Sequence, residues 1–465
     1  MYLLYSLLLT VGFVLLLPRF AIDALRTRKY VTGLSQRLGN LPSLPASNQP
    51  LIWLHCVSVG ETEAARPLVR ALRERFPSYR LVVSTTTVTG QQVAQRVFQR
   101  EAAAIFYFPI DWAWTVRRVL RTLNPSAVLI METELWPNLL RTCRRQSIPV
   151  ALVNGRISAT SFRRYRMIKM FTARMLNNLT MAIMQSERDV TRIRELGMAG
   201  ERTSSAGNLK FDGASNAGND GAFSPDLRSR FGFNDSQFLI VAASTHWPEE
   251  QVLIDTFKRI KQSTEDRPGR LLPVQLLPVR LLIAPRHPER FTEIADLIAD
   301  SGLSWARRTT APAEGDATCE IILLDSIGEL RTVFPLADIA FIGGSIASHG
   351  GHNVLEPAVE GVCVITGPHT DNFAAIIQTL LGEGALVQLD EVAISEAAKQ
   401  LATTIRELLE DEPRRREIGQ RAMAVCDSNR GATNRTMHIL AKLLSSRPPV
   451  NASIPFSAIH VTAAK

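Results

Sequence analysis

The chain has 465 residues, with 53 Lys and Arg against 44 Asp and Glu, a formal net charge of +9 and a pI near 9.6. That length accommodates two or three domains with separate cores, and 46% hydrophobic with 21% charged residues argues against bulk disorder. The five cysteines, Cys56, Cys143, Cys319, Cys363 and Cys426, lie far apart without a C-x-x-C pair, which argues against a disulfide framework or structural zinc and for a reducing compartment.

Residues 1–18 (MYLLYSLLLTVGFVLLLP) carry no charge, and Arg19, Arg26, Arg28, Lys29 and Arg37 follow. The positive n-region and small-residue cleavage site of a secretory signal are absent. The run is near the minimum for a bilayer, so a short span and a deeply buried interfacial helix both fit. Cations behind it place the remainder on the cytoplasmic side. No later stretch is long and apolar enough to be a second span.

Short apolar runs then alternate with helix-like segments. Strands are expected at 51–57, 81–85, 104–108, 127–131, 150–153 and 181–185, each followed by a polar turn and an amphipathic stretch such as 63–76 or 112–123. This spacing predicts a parallel, doubly wound sheet. The pattern breaks at 211–237, where Gly, Asn, Ser and Asp dominate, and resumes with strands at 238–243, 281–284, 320–324, 339–342 and 362–365. The expected organisation is an anchor at 1–22, one α/β domain at 23–212, a linker at 213–235, a second α/β domain at 236–445 and a poorly ordered tail at 446–465. Two such halves face a cleft, with ligands at the carboxyl ends of the strands. The segment 270–280 (RLLPVQLLPVR) reads as a surface insertion or local duplication.

The turn after the first strand, Ser58 to Glu63, ends in carboxylates at a helix start. Helix capping explains such a turn; so does a general base, Glu61, with a second carboxylate nearby to hold its pKa high. Glu132 and Glu134 follow the buried run AVLIM, as a salt-bridge pair or a second acidic site. Lys210 closes the first half, either solvated or set against an anion. In the second half, Arg286 follows the strand LLIA, Gly343-Gly344-Ser345 follow IAFI, and 350–357 (GGHNVLEP) open a helix. Glycines that admit a close backbone approach and helix N–H groups together suggest a nucleotide pocket. His55 and His352 read as hydrogen-bonded structural residues rather than metal ligands. The Phe162 to Arg174 stretch interleaves five cations with Tyr, Met and Phe and reads as a lipid- or acceptor-facing surface. There is no G-x-x-x-x-G-K-[ST], G-x-G-x-x-G, H-E-x-x-H, G-x-S-x-G or strand-following D-x-D. No nucleic-acid partner is expected, because the cations are dispersed without a stacking motif.

HCVSVGETEAARPLVRAL, LIMETELWPN, NLKFD, APRHPERF, FIGGS, GGHNVLEP and GPHTDNF, in this order, closely resemble the 3-deoxy-D-manno-octulosonic acid (Kdo) transferases. The resemblance implies a GT-B glycosyltransferase with two Rossmann-like domains, moving Kdo from CMP-Kdo to a lipid A precursor in lipopolysaccharide synthesis at the bacterial inner membrane. By position it implies Glu61 as proton acceptor and Glu132 and Lys210 as transition-state stabilisers. CMP would lie against Pro285, Arg286, Ile327, Gly328, Glu329, Asn353, Val354, Leu355 and Glu356, with no metal or other cofactor. The segment around Trp247-Pro248 departs from the expected smaller or more polar residues and is left outside the site. A UDP-sugar enzyme on the same fold and a non-catalytic adaptor are the rival readings.

Overall fold

A computed structural model describes residues 1–27, 32–42, 44–45, 47–215, 225–234, 236–265 and 278–445. Its strands are β1 (Leu51–His55), β2 (Arg80–Thr85), β3 (Ala104–Tyr107), β4 (Ala127–Met131), β5 (Val150–Gly155), β6 (Met181–Met184) and β7 (Thr203–Ser205). These form one seven-stranded sheet in the order β3-β2-β1-β4-β5-β6-β7. Every pairing is parallel. A parallel sheet needs helical crossovers that cover both faces, so its strands are apolar throughout rather than alternating. Accordingly Leu51 and Trp53 enter one core, while Ile52 and Leu54 enter another on the opposite face.

A second sheet contains β8 (Phe238–Thr245), β9 (Val279–Pro285), β10 (Trp305–Arg307), β11 (Ile321–Leu323), β12 (Ile339–Ile342), β13 (Cys363–Thr366) and β14 (Val387–Gln388). Its order is β10-β11-β9-β8-β12-β13-β14, again parallel throughout. In both sheets the order reverses beside the first strand, which puts the topological switch at the carboxyl ends of β1/β4 and β8/β12. All expected strands are present within a residue or two. The unexpected ones, β7, β10 and β14, are edge strands of two or three residues. An edge strand is paired on one side only, so a run such as Thr203–Ser205 carries no apolar signature.

The described residues cluster into two compact units, one running to Gly213 and resuming at Gly431, the other from Ala214 to Arg430. This corrects the expected boundary at 445. The helix Ala432–Ser445 places Met437, Leu440 and Leu444 in the first unit's core beside Leu68 and Leu72 of the helix Val59–Arg75. Asp212 caps it by accepting the amides of Gly431 (2.8 Å) and Thr433 (2.6 Å). The expected linker also shrinks. Pro225–Arg230 is helical, Leu227, Phe231 and Phe233 are buried, and Arg230 pairs with Asp316 at 2.7 Å. Residues 216–224, most of the 270–280 duplication and the tail 446–465 lie outside the described residues.

All five cysteines are free and buried. The helix Tyr2–Thr27 contains the single window among the described residues that is long and apolar enough to cross a membrane, Tyr2–Arg19, with a mean hydropathy of 1.7.

Candidate active site

In the first unit, the carboxyl ends of β1 and β4 and the start of the helix Leu209–Ser215 bring Glu61, Glu132 and Lys210 together. Ser58 is the N-cap of the helix Val59–Arg75, so Glu61 sits in its first turn. One carboxylate oxygen takes the capping part, accepting the Val57 amide at 2.7 Å, and the other lies 3.4 Å from the Ser58 hydroxyl. The side chain is 7% exposed. Burial, then the charge of Glu132, pushes its pKa up to about 8; Val57 and Lys210 oppose this and Glu134 adds to it. The carboxylate that raises Glu61 is therefore not its motif neighbour: Glu63 faces Arg66 and Arg96 instead.

Glu132 pairs with Lys210, Nζ to Oε1 at 3.3 Å. Its backbone is left-handed at φ 51°, an uncommon conformation for a non-glycine residue that turns the chain sharply at the end of β4. Lys210 depends on a residue that sequence reasoning missed. Asn154, at the end of β5 and also left-handed (φ 54°), accepts the Leu209 amide at 3.0 Å and so anchors the helix that carries Lys210. The Asn154-Gly155 pair that closes that strand held the signal. His55 is structural as expected: it is fully buried, stacked on Phe108 at 4.0 Å and bonded to Ser84, and burial lowers its pKa to about 3.

In the second unit, the sites expected after β9, β11 and β12 all follow the carboxyl ends of parallel strands, on the same side of the sheet. Pro285 ends β9, and the Arg286 amide donates to Thr245 at 3.1 Å, leaving its side chain exposed. Ile327 is 77% exposed, and Gly328 adopts φ 98°, which favours glycine. Glu329 is held by Arg308 at 2.8 Å, and that guanidinium lowers its pKa. Arg331, just beyond, reaches Glu356 at 3.5 Å. Asn353 is polarised across the next helix start, accepting the Leu355 amide at 3.1 Å and donating to Glu356 at 3.0 Å. Val354 and Leu355 are buried, so their side chains are closed to a ligand, and the Leu355 amide is already taken by Asn353.

Two corrections arise here. The Gly343-Gly344-Ser345 turn is not a vacant anion cradle. Gly343 donates to Ala243, and the buried Glu249 accepts from Gly344 (2.7 Å), Ser345 (2.9 Å), Ile346 (2.9 Å), Ala347 (3.2 Å) and His246 (2.9 Å). A carboxylate of the chain itself fills the nest. The segment left outside the site, around Trp247-Pro248, supplies both Glu249 and His246. His246 lies 2.8 Å from His352, Nε2 to Nε2, and stacks on His349 at 4.2 Å. Burial, then Arg286 and the neighbouring imidazoles, lowers the His352 pKa to about 3. Burial, then the charges of His349, His287, Arg286 and Arg290, likewise lowers the His246 pKa to about 4, which favours a neutral pair with one ring donating to the other.

The family model described as "3-Deoxy-D-manno-octulosonic-acid transferase (kdotransferase)" matches residues 32–213. A 3-deoxy-D-manno-octulosonic acid transferase of Haemophilus influenzae is 31% identical over 440 residues, covering 95% of this chain and 98% of that one. One from Bordetella pertussis is 32% identical, covering 85% of this chain and 88% of that one. Among solved structures, a putative UDP-N-acetylglucosamine 2-epimerase from Listeria monocytogenes shares the fold at a TM-score of 0.56 with 15% identity, over 86% of this chain and 98% of that one. The two parallel seven-stranded units are of the GT-B class. With the relatives matched over almost their whole length, the chain belongs to the 3-deoxy-D-manno-octulosonic acid transferases and is a glycosyltransferase enzyme.

Proposed function

We propose that the enzyme moves Kdo from CMP-Kdo to a hydroxyl of the tetraacyl lipid A precursor, with inversion at the anomeric carbon and release of CMP. Glu61 accepts the proton as the acceptor oxygen bonds to that carbon. The bond from the anomeric carbon to the CMP phosphate breaks, and its electron pair leaves on the phosphate oxygen. Arg286 stabilises the departing phosphate, and Lys210 balances the acidic cluster. The sugar becomes oxocarbenium-like, a charge that Glu132 favours. No cofactor takes part in this reading. Asn353, Glu356 and the turn at Ile327 to Glu329 hold the nucleotide.

The observation that carries the proposal is the buried Glu61 beside Glu132, its pKa raised to about 8. A base titrating near the working pH combines a useful deprotonated fraction with real proton affinity. The second unit offers the exposed Arg286 guanidinium and the polar Asn353 and Glu356 side chains toward a nucleoside monophosphate. The apolar helix Tyr2–Thr27 suits an enzyme that meets a lipid acceptor at the cytoplasmic face of the inner membrane.

The test is a mass spectrum of the lipid made by the purified full chain from CMP-Kdo and lipid A precursor. An added Kdo mass is expected, as is a melting shift with CMP larger than with UMP or UDP, since a ligand specific to the native state stabilises it. Turnover of a UDP-sugar, or no product with CMP-Kdo, overturns the reading.

A further inference from the structure

The N-terminal helix does not stand clear of the first unit. Tyr2, Tyr5, Ser6, Leu9, Gly12 and Phe13 are half-buried, a spacing of three and four residues that defines one helix face. Tyr2 accepts from Asn178 at 2.8 Å and lies under the Arg141 guanidinium at 4.5 Å. Tyr5 donates to the buried Asp111 at 3.1 Å, Ser6 accepts from Asn138 at 3.0 Å, and Thr10 accepts from Trp112 at 3.1 Å. Phe13 meets the Trp112 ring edge-on at 5.0 Å. The opposite face is hydrocarbon in water: Leu3, Leu7, Leu8 and Leu15 are 85%, 59%, 62% and 73% exposed.

These contacts are incompatible with a bilayer span. A spanning helix carries its first residue to the far side of the membrane, yet Tyr2 and Phe13 are both held by the same folded unit. Seating Tyr2 there while the helix crossed would draw Arg141, whose guanidinium lies over its ring, into the hydrocarbon, at several kilocalories per mole. A second element lies alongside. Phe171 packs on Tyr2 and Tyr5, and the turn just before it exposes Met167, Ile168 and Met170. Arg163, Arg164, Arg166 and Lys169 flank that turn; all are exposed, and among the described residues none is paired with a carboxylate. Apolar tips rimmed by such cations are complementary to an anionic lipid surface.

We infer that the helix lies flat in one leaflet, its tyrosine–serine stripe clamped to the first unit and its leucine face in the acyl boundary, with the turn at Met167 to Met170 inserted beside it as a second foot. The inference deepens the membrane part of the proposed function and rests on it. Two feet on one unit would fix its orientation to the membrane, which a flexible single span would not.

The experiment uses the full chain on vesicles of phosphatidylethanolamine and phosphatidylglycerol, with single nitroxide labels on Leu3→Cys, Leu7→Cys, Val11→Cys, Leu15→Cys and Met170→Cys. The expected result is one shallow depth shared by all five positions, with Leu9→Cys and Phe13→Cys immobile against protein. A depth that rises to the bilayer centre and falls again along the helix overturns the inference, as does Met170→Cys in water. Labels shielded from lipid and water alike would mean that a second copy covers the leucine face, and would overturn it equally. Charge reversal of Arg163, Arg164 and Arg166 together should weaken vesicle binding by roughly tenfold or more at low salt, and less at high salt; unchanged binding removes the second foot. Failure of the wild-type chain to bind vesicles would instead sink the membrane reading itself, so the two failures are distinguishable.

Discussion

Glu61 and Glu249 are both buried glutamates next to the first strand of a parallel sheet, and they do opposite things. Glu249 is fully buried and accepts five backbone amides, from His246, Gly344, Ser345, Ile346 and Ala347, so its charge is met by fixed donors. Burial still holds its pKa above the usual carboxylate value, and those donors offset the rise only in part. Glu61 has one amide, from Val57, and faces Glu132 and Glu134 across the turn. Burial alone therefore does not make a reactive carboxylate; the balance between hydrogen-bond donors and like charges decides. The second glutamate holds a loop, whereas the first is left with few donors and two like charges beside it.

The largest effect expected from breaking this contrast is on chemistry. Glu61→Gln should lower transfer by about 10²–10⁴-fold while the CMP-dependent melting shift survives; near-normal turnover would remove Glu61 from the base role. In the wild type, kcat/KM should rise with pH until about 8. Stability runs the other way. A raised folded pKa means the contribution is fully present below the ordinary carboxylate range and is lost as pH rises through about 8. Glu61→Gln should melt higher than wild type at that pH.

Glu249→Ala should do the reverse, removing the acceptor of five buried donors at a cost of roughly 2–5 kcal/mol. Calorimetry should show the second unit melting earlier, and an unchanged transition would mean that water replaces the carboxylate without penalty. Arg286→Ala should lower kcat/KM for CMP-Kdo by roughly ten- to a hundredfold, the range of a charge-assisted hydrogen bond, with part of the loss in kcat because the same guanidinium meets the departing phosphate. Glu132→Gln should lower kcat by less than Glu61→Gln does, through lost support of the oxocarbenium-like sugar, and should also move the pH profile. Losing the like charge lowers the Glu61 pKa, so the rising limb of the rate profile should move toward acid by roughly one pH unit; a shift toward alkali would reverse the sign assigned to Glu132.

How much was legible in the chain differs by element. Central strands such as 51–57 and 127–131 declared themselves because both faces of a parallel sheet are buried. The edge strands β7, β10 and β14 did not, since short half-paired runs need no apolar residues. Glu61, Glu132 and Lys210 could be picked as polar groups directly after strands, but that Glu132 rather than Glu63 charges the pocket of Glu61 depends on β1 pairing with β4. The Gly343 to Ser345 turn misled because glycine reports only that backbone comes close, not what it approaches. The occupant, Glu249, lies about a hundred residues upstream in a segment passed over for its Trp-Pro pair.

Pattern and motif were enough to establish two parallel α/β units, the apolar first helix and the family, because burial periodicity and local turn chemistry are written in neighbouring residues. Which carboxylate charges which, the return of Ala432–Ser445 to the first unit and the docking of Tyr2, Tyr5 and Ser6 on its surface were decided only in three dimensions. Each of these is an interaction between groups tens to hundreds of residues apart, and a long-range contact leaves no periodic trace in a chain.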